Sequence, residues 1–406
     1  MNVVERFLKY VSFDTESDPH SESYPTSLKQ LELGKYLVEE LKEIGVEDVH
    51  LNEHGIVYAK LPATGNVNAK KVGFVAHMDT SPDMCGANVK PRIVENYDGG
   101  TIVLNEELNI SMNRDMFACL NRHIGKDLIV TDGTTLFGAD DKAGVAEIMT
   151  MVETLVKENI PHGEIRIAFT PDEEVGKGTD NFDVNYFDAD FAYTVDGGEV
   201  ESGDYENFNA AAAKIEIKGS SIHPGSAKNK MINASLLAME FHSLLPVQKN
   251  PAYTEGYEGF NHLHEIKGSC EDAYLEYIIR NHSEQEFEIQ KKEFEMITAY
   301  LNQKYGEGTF KLTLEDSYAN MRTIIEKDMR IIDLVKESML DLGVQPTSSP
   351  IRGGTDGARL TYEGLPTPNL GTGGYNYHGK YEYACIQEME TSVALLLKIV
   401  EKVNAE

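Results

Sequence analysis

A chain of 406 residues is too long for one compact core, so two domains are the natural expectation. Hydrophobic residues make up 41% and charged residues 26%, the composition of an ordinary soluble globular protein, and no apolar run approaches the roughly 18 residues a membrane helix needs. With 67 acidic against 37 basic side chains the net charge is −30, which excludes a nucleic-acid role built on a basic stripe and favours attraction of divalent cations.

The amino terminus leads into an amphipathic pattern (Val4, Phe7, Leu8, Val11) rather than a signal peptide. The four cysteines form no Cys-x-x-Cys pair, so a cytoplasmic protein with free thiols is expected. Ser27-Leu28-Lys29-Gln30 fits a capping box opening a helix to about Ile44, with Gly45 just past its end. Residues 57–61 read as a strand, as do residues 70–77, which carry His77 at their carboxyl end. Asp79 lies two positions on and can share a face with His77 and orient its ring, although a His-x-Asp pair is also a common structural pattern.

Residues 81–126 read as irregular, with hairpin strands such as 100–104, and 127–131 as a strand. Asp140 then precedes a helix with the apolar stripe Val145, Ile148, Met149, Val152, Leu155 and Val156. Within Asp140-Asp141, one aspartate can cap the helix while the other serves as a ligand at its rigid start. The alternating run 164–170 leads to Pro171-Asp172-Glu173-Glu174-Val175-Gly176, around which the chain is organised. In extended backbone Glu173 and Glu174 would point to different sides, one to a metal and one to a proton. The strand 191–195 ends at Asp196.

The character changes near Phe208. Residues 213–219 alternate as a half-exposed antiparallel strand, a helix starts near Asn233 (Leu237, Phe241, Leu244), another spans 284–304 (Phe287, Phe294, Ile297, Leu301), and 310–314 is a strand. This reads as an α+β domain, 209–318, inserted into a domain made of 1–208 and 319–406. Ser221-Ile222-His223-Pro224-Gly225 by itself reads as a solvent-facing turn histidine, and His262 and His264 lack a carboxylate partner. A helix at 328–342, the segment Ile351-Arg352-Gly353-Gly354-Thr355-Asp356-Gly357, His378 after a glycine-rich run, and a last helix (Met389, Val393, Leu396, Val400) complete the chain. The expected fold is α/β, a mostly parallel mixed sheet flanked by helices. Acids and imidazoles at several strand ends are what a metal site on such a sheet needs.

Six segments carry a family resemblance: Ala76-His77-Met78-Asp79-Thr80, Gly138-Ala139-Asp140-Asp141-Lys142-Ala143-Gly144, Pro171 to Gly176, Val195-Asp196-Gly197-Gly198, Ser221 to Gly225, and Asn376-Tyr377-His378-Gly379. In this order, and over essentially the whole chain, the sequence resembles the co-catalytic zinc aminopeptidase/carboxypeptidase/deacylase superfamily, and within it the tripeptide aminopeptidases. Ala76 departs from the glycine of many relatives.

The resemblance implies a zinc-peptidase catalytic domain with an inserted lid and dimerisation domain. The implied activity is that of a metallo-exopeptidase releasing the N-terminal residue of tripeptides, with a dipeptidase or an N-acyl amino acid deacylase as the alternative. Two zinc ions per subunit are implied, one held by His77 and Asp196, the other by Glu174 and His378, with Asp140 bridging. Such a donor set of two imidazoles and three carboxylates suits zinc with room for water. Glu173 would be the general base, Asp79 would support His77, and the Asp140–Asp141 bond would be cis. His223, of the same or the partner subunit, would donate to the developing oxyanion. Arg280 and Arg352 are the candidates for a substrate carboxylate, which a guanidinium grips bidentately. Expected partners are small peptides and a second copy of the chain, with no nucleic acid and no membrane.

Overall fold

The computed structural model describes residues 1–406 and divides into two compact units. The first comprises Met1–Tyr205, Thr323–Ser349 and Thr355–Glu406, the second Glu206–Arg322 and Pro350–Gly354. The junctions lie a few residues from those read in the sequence. The short segment holding Arg352 goes with the second unit, whereas the sequence reading kept it in the first.

The first unit is built on a seven-stranded sheet in the order Asp48–Leu51, Val57–Leu61, Ile165–Thr170, Val72–His77, Phe191–Gly197, Asn369–Gly371 and Gly203–Asp204. The four strands from Ile165–Thr170 to Asn369–Gly371 run parallel, and the flanking pairings are antiparallel. Val72–His77 and Ile165–Thr170 are buried along their whole length. The first reads as the near-continuous apolar run of a buried parallel strand, whereas the alternation read in the second does not match exposure, since Arg166 is buried with its neighbours. Their register sets His77 opposite Thr170. The chain therefore leaves the sheet in parallel at Asp79 and at the Glu173-Glu174 pair, beside the strand that carries Asp196.

The helix Ala139–Lys157 buries the expected stripe of Val145, Ile148, Met149, Val152 and Leu155. Gly144 lets it approach the sheet, because a Cβ there would stand 1.8 Å from the Val195 carbonyl oxygen. The helix Gln30–Ile44 ends at Gly45 with φ 109°, a left-handed value that favours glycine. Its expected capping box is absent: Lys29 holds the N-cap position and its side chain caps no backbone N–H. The Gln30 side chain instead bonds Asp172 in the interior, and the buried tertiary contact displaces the local one.

Leu128–Val130 belongs to a separate antiparallel sheet, in the order Gly374–Tyr375, Tyr383–Cys385, Leu128–Val130, Arg92–Val94. The first two strands form the hairpin that presents His378. The hairpin is anchored on Glu388, buried near the start of the helix Ile386–Ala405. Glu388 accepts from Lys126 Nζ at 2.7 Å and the Tyr375 hydroxyl at 2.5 Å, and lies 3.1 Å from His123 Nε2.

In the second unit the antiparallel order is Phe260–Gly268, Asp272–Asn281, Asn209–Lys218, Phe310–Tyr318. The helices Ala234–Leu244 and Glu284–Tyr305 pack on this sheet through Phe241, Phe294 and Leu301 against Ile215, Leu275 and Tyr277. The hairpin 260–281 is missing from the sequence reading, although Ala273, Leu275, Tyr277 and Ile279 alternate inward.

Burial works to raise the Glu388 carboxyl, but hydrogen bonds from His123, Lys126 and Tyr375 outweigh it and hold the carboxyl at about 2, against an ordinary 4.5. A depressed acid contributes stability above its unfolded pKa, and that contribution fades as pH falls toward the folded value. Glu388→Gln is therefore expected to cost about 3–5 kcal/mol at neutral pH, with the gap to wild type closing between pH 4.5 and 2. Urea unfolding across that range checks it, and a gap independent of pH would refute it.

Candidate active site

The Pro171–Gly176 segment is a turn and not extended backbone. Glu173–Val175 forms one 3-10 turn, and Asp172 before it has φ 59°. The divergence of the two glutamates thus comes from the turn rather than from strand alternation. A left-handed non-glycine residue needs support, and Asp172 receives it from the start of the helix Gln30–Ile44. Its N–H donates to Gln30 Oε1 at 3.1 Å, and its carboxylate accepts from Gln30 Nε2 at 2.6 Å, from Thr26 N at 2.8 Å and from the Thr26 hydroxyl. Thr26 and Gln30 are functional supports that the sequence reading missed. They lie far from Asp172 in the chain, and no local pattern connects them.

From the other side the turn is held by Asp79, which is fully buried. Its two carboxylate oxygens accept from the N–H of Glu173 at 3.0 Å and of Glu174 at 3.2 Å. One of them also lies 3.3 Å from His77 Nδ1, and the Asp79 carbonyl lies 3.1 Å from the same nitrogen. Asp79 therefore ties the imidazole to the glutamate pair, a larger part than orienting a ring.

The Asp140-Asp141 pair divides its work. The peptide between the two residues is cis, and both depart from helical dihedrals. Asp141 turns inward, accepting from Gly144 N at 3.3 Å and His77 N at 3.2 Å, and does the capping. Asp140 faces the site, with one oxygen 3.0 Å from His77 Nε2 and the other 3.4 Å from His378 Nε2.

Two clusters result. His77, Asp140 and Asp196 bring ligand atoms within 4.8 Å of one another, and so do Asp140, Glu174 and His378. His77 Nε2 lies 3.5 Å from Asp196, and His378 Nε2 lies 2.9 Å from Glu174. Asp140 belongs to both.

The electrostatics show what this arrangement lacks. Burial, with Asp140 adding to it, pushes the Glu174 carboxyl up to about 8, and burial raises Asp196 to about 6. His378 rises to about 11 through its bonds to Asp140 and Glu174. Burial opposes charge on His77, yet Asp196, Asp140 and Asp79 together carry it well above the ordinary imidazole range. Against burial, its bonds to both imidazoles hold Asp140 below its ordinary range. Glu174 and Asp196 resist ionising while the imidazoles hold protons, a site short of positive charge that divalent cations would supply while displacing those protons. Glu174 Oε1 is buried with no hydrogen-bond partner, as a ligand oxygen would be. The donors fit cations of the zinc type.

A third grouping, His123, Cys385 and Glu388, also brings ligand atoms together. There Lys126 and Arg122 already face the single carboxylate, so its charge is matched within the chain.

His223, Arg280 and Arg352 belong to the second unit. His223 is exposed, and its Nδ1 accepts from Gly225 N at 3.1 Å. In a neutral ring this leaves the proton on Nε2. Arg280 lies over the Tyr318 ring at 5.2 Å and donates to the carbonyls of Ile279 and Ala211. Arg352 lies over Phe208 at 5.1 Å and donates to the carbonyls of Gly256 and Glu258 and to the Thr254 hydroxyl. His262 and His264 have ring centroids 6.2 Å apart on an exposed strand.

Residues 128–402 match the model of peptidase family M20/M25/M40. The chain belongs to peptidase family M20/M25/M40. It is similar to peptidase T of Caldanaerobacter subterraneus subsp. tengcongensis, with 53% identity over 400 residues and 98% of each chain covered. In structure it is similar to a tripeptidase from Staphylococcus aureus subsp. aureus Mu50 (TM-score 0.80, 23% identity, 100% of this chain and 98% of the other). It is also similar to YXEP of Bacillus subtilis, a dinuclear metal binding peptidase of the M20 family (TM-score 0.67, 13% identity, 99% and 98% covered). The last two likenesses concern the fold. In this chain His77, the Glu173-Glu174 turn and Asp196 lie at the carboxyl ends of parallel strands, where open α/β sheets bind ligands, while Asp140 comes from a helix start and His378 from the antiparallel hairpin.

Since Gln30 makes two bonds to Asp172, Gln30→Ala is expected to let the glutamate turn shift, moving Glu173 and weakening the cation that Glu174 would hold. A misplacement of this kind costs about 10²-fold in turnover. Steady-state kinetics with metal analysis check it, and near-normal kcat would show that the contact does not position the turn.

Proposed function

We propose that this chain is a metal-dependent exopeptidase that releases the N-terminal residue of tripeptides. The observation that carries the reading is the pair of clusters sharing Asp140, with Glu173 held beside them on the Asp79-anchored turn, in a chain 53% identical to peptidase T along its length.

His77, Asp196 and Asp140 would hold one zinc ion, and Asp140, Glu174 and His378 a second. When bound, such cations polarise the scissile carbonyl and acidify a water. The chain's own residues do the rest. Asp140 offers one oxygen to each cluster and so fixes their separation. Asp79 holds the Glu173 backbone through one carboxylate oxygen and the Glu174 backbone through the other, so the base and a ligand cannot drift apart. Burial, and the carboxylates of Asp196, Asp356 and Glu174, raise the Glu173 carboxyl well above its ordinary range, against the influence of His77. A base of raised pKa takes a proton from the attacking water and returns it to the departing amine. By the family resemblance, His223 is proposed as a donor to a developing oxyanion, and Arg280 and Arg352 as partners for a peptide carboxylate. Reading that carboxylate at a fixed distance from the cleaved bond would let the site count residues.

No helix is long and apolar enough to cross a membrane, and work on small peptides in the cytoplasm, as a homodimer through the second unit, completes the proposal.

Matched di-, tri- and tetrapeptides and an N-acetylated tripeptide, followed by mass spectrometry with and without chelator, test the reading. The expected result is loss of the first residue from the free tripeptide alone, abolished by chelator and restored by zinc. Cleavage of the dipeptide or of the blocked peptide in preference would move the chain to a dipeptidase or deacylase. Glu173→Gln should cost about 10²–10⁴-fold in kcat with the cations retained. Loss of metal in that variant would reassign Glu173 as a ligand.

A further inference from the structure

Glu382 is 2% exposed and lies four positions past His378, directly before the strand Tyr383–Cys385. Its carboxylate reaches across the fold to the segment entering the helix Ala139–Lys157. One oxygen accepts from the N–H of Phe137 and of Gly138, each at 3.0 Å, and the other accepts from the N–H of Asp140 at 3.0 Å. Its own N–H donates to the Gly379 carbonyl at 3.2 Å, closing the turn that follows His378. One residue therefore bonds both the turn carrying His378 and the backbone of Asp140. The side chains of those two residues stand 3.4 Å apart.

We infer that Glu382 is a positioning residue that fixes the distance between Asp140 and His378 and so sets the geometry of the cation site they share. The inference rests on the metallopeptidase reading above. A carboxylate suits the task because three N–H groups converge on it and it presents acceptors only. The carboxyl also lies at the amino end of a helix, where negative charge is favoured. Burial pushes it up to about 7, and its bonds from the Phe137, Gly138 and Asp140 N–H groups work against that rise. Glutamine in its place must turn an NH2 toward at least one of those donors, leaving that N–H unpaired and the segment free to shift. Residues that orient ligands from behind in this way typically cost about 10–100-fold in metal affinity when changed.

The rival explanation is that Glu382 only caps the helix. Metal-free wild type, Glu382→Gln and Glu382→Asp would be titrated with Zn2+ and with Co2+ against a chromogenic chelator. The Co2+ absorption spectrum and the metal-free melting curve would be recorded beside them. The expected result is Zn2+ and Co2+ bound about 10–100-fold more weakly by Glu382→Gln, with altered Co2+ bands and the metal-free circular dichroism of wild type. Glu382→Asp keeps the charge on a shorter arm and is expected to fall between the two. It serves as the test variant should the glutamine form not fold. Wild-type affinity and wild-type Co2+ bands in a variant that merely melts earlier would overturn the inference and leave a helix cap. Wild type that binds neither ion would overturn the metallopeptidase reading itself, and this inference with it.

Discussion

The first unit is arranged around a concentration of buried negative charge. Asp79, Asp140, Asp141, Glu174 and Asp196 converge on His77 and His378 at the end of a parallel sheet, most of them removed from water. Taking a single carboxylate out of water costs several kcal/mol unless positive charge or hydrogen bonds answer it. Some of these acids are answered by backbone N–H groups. Asp79 takes two from the glutamate turn, and Asp141 takes those of His77 and Gly144. The remaining three carboxylates share two imidazoles, and divalent cations resolve that imbalance. Binding free energy for a metal would therefore come partly from donor groups that folding has already brought together.

The sheet makes this possible by register more than by any single residue. Parallel strands release their chains at the same edge, and the pairing of His77 with Thr170 places the residues after each strand side by side. The helix that begins with Asp140 and Asp141 has to lie close against the strand carrying Asp196. Gly144 allows it, because no side chain fits against the Val195 carbonyl. The antiparallel hairpin holding His378 is braced from behind by Glu388, whose charge Lys126 and Arg122 match. The two buried acid groupings thus serve different ends. One is balanced within the chain and stiffens the hairpin, and the other is left in excess and faces the site.

Much of this was legible in the sequence because strand ends and helix starts are marked locally. The runs before His77, Glu173 and Asp196 have strand character, and the stripe after Asp140 has helical character, so the ligands could be placed on elements. The partition of Asp140 and Asp141 into ligand and cap was legible as an alternative. Contacts between distant segments were not. Gln30 reads as part of a capping box, but its amide is spent on Asp172, a choice that only the packed interior decides. The glutamate pair reads as extended backbone, yet the left-handed Asp172 starts a turn there, and its stability depends on Thr26 and Gln30. The hairpin 260–281 carries a readable alternation in Ala273, Leu275, Tyr277 and Ile279, a local period that no tertiary contact obscures.

The central claim is that the chain holds two cations bridged by Asp140. Anomalous diffraction from crystals of the protein loaded with zinc, recorded at the zinc edge, addresses it directly. The account predicts two peaks flanking the Asp140 carboxylate, one contacted by His77 and Asp196 and the other by Glu174 and His378. A single peak, or a peak among His123, Cys385 and Glu388 with none at Asp140, would contradict it.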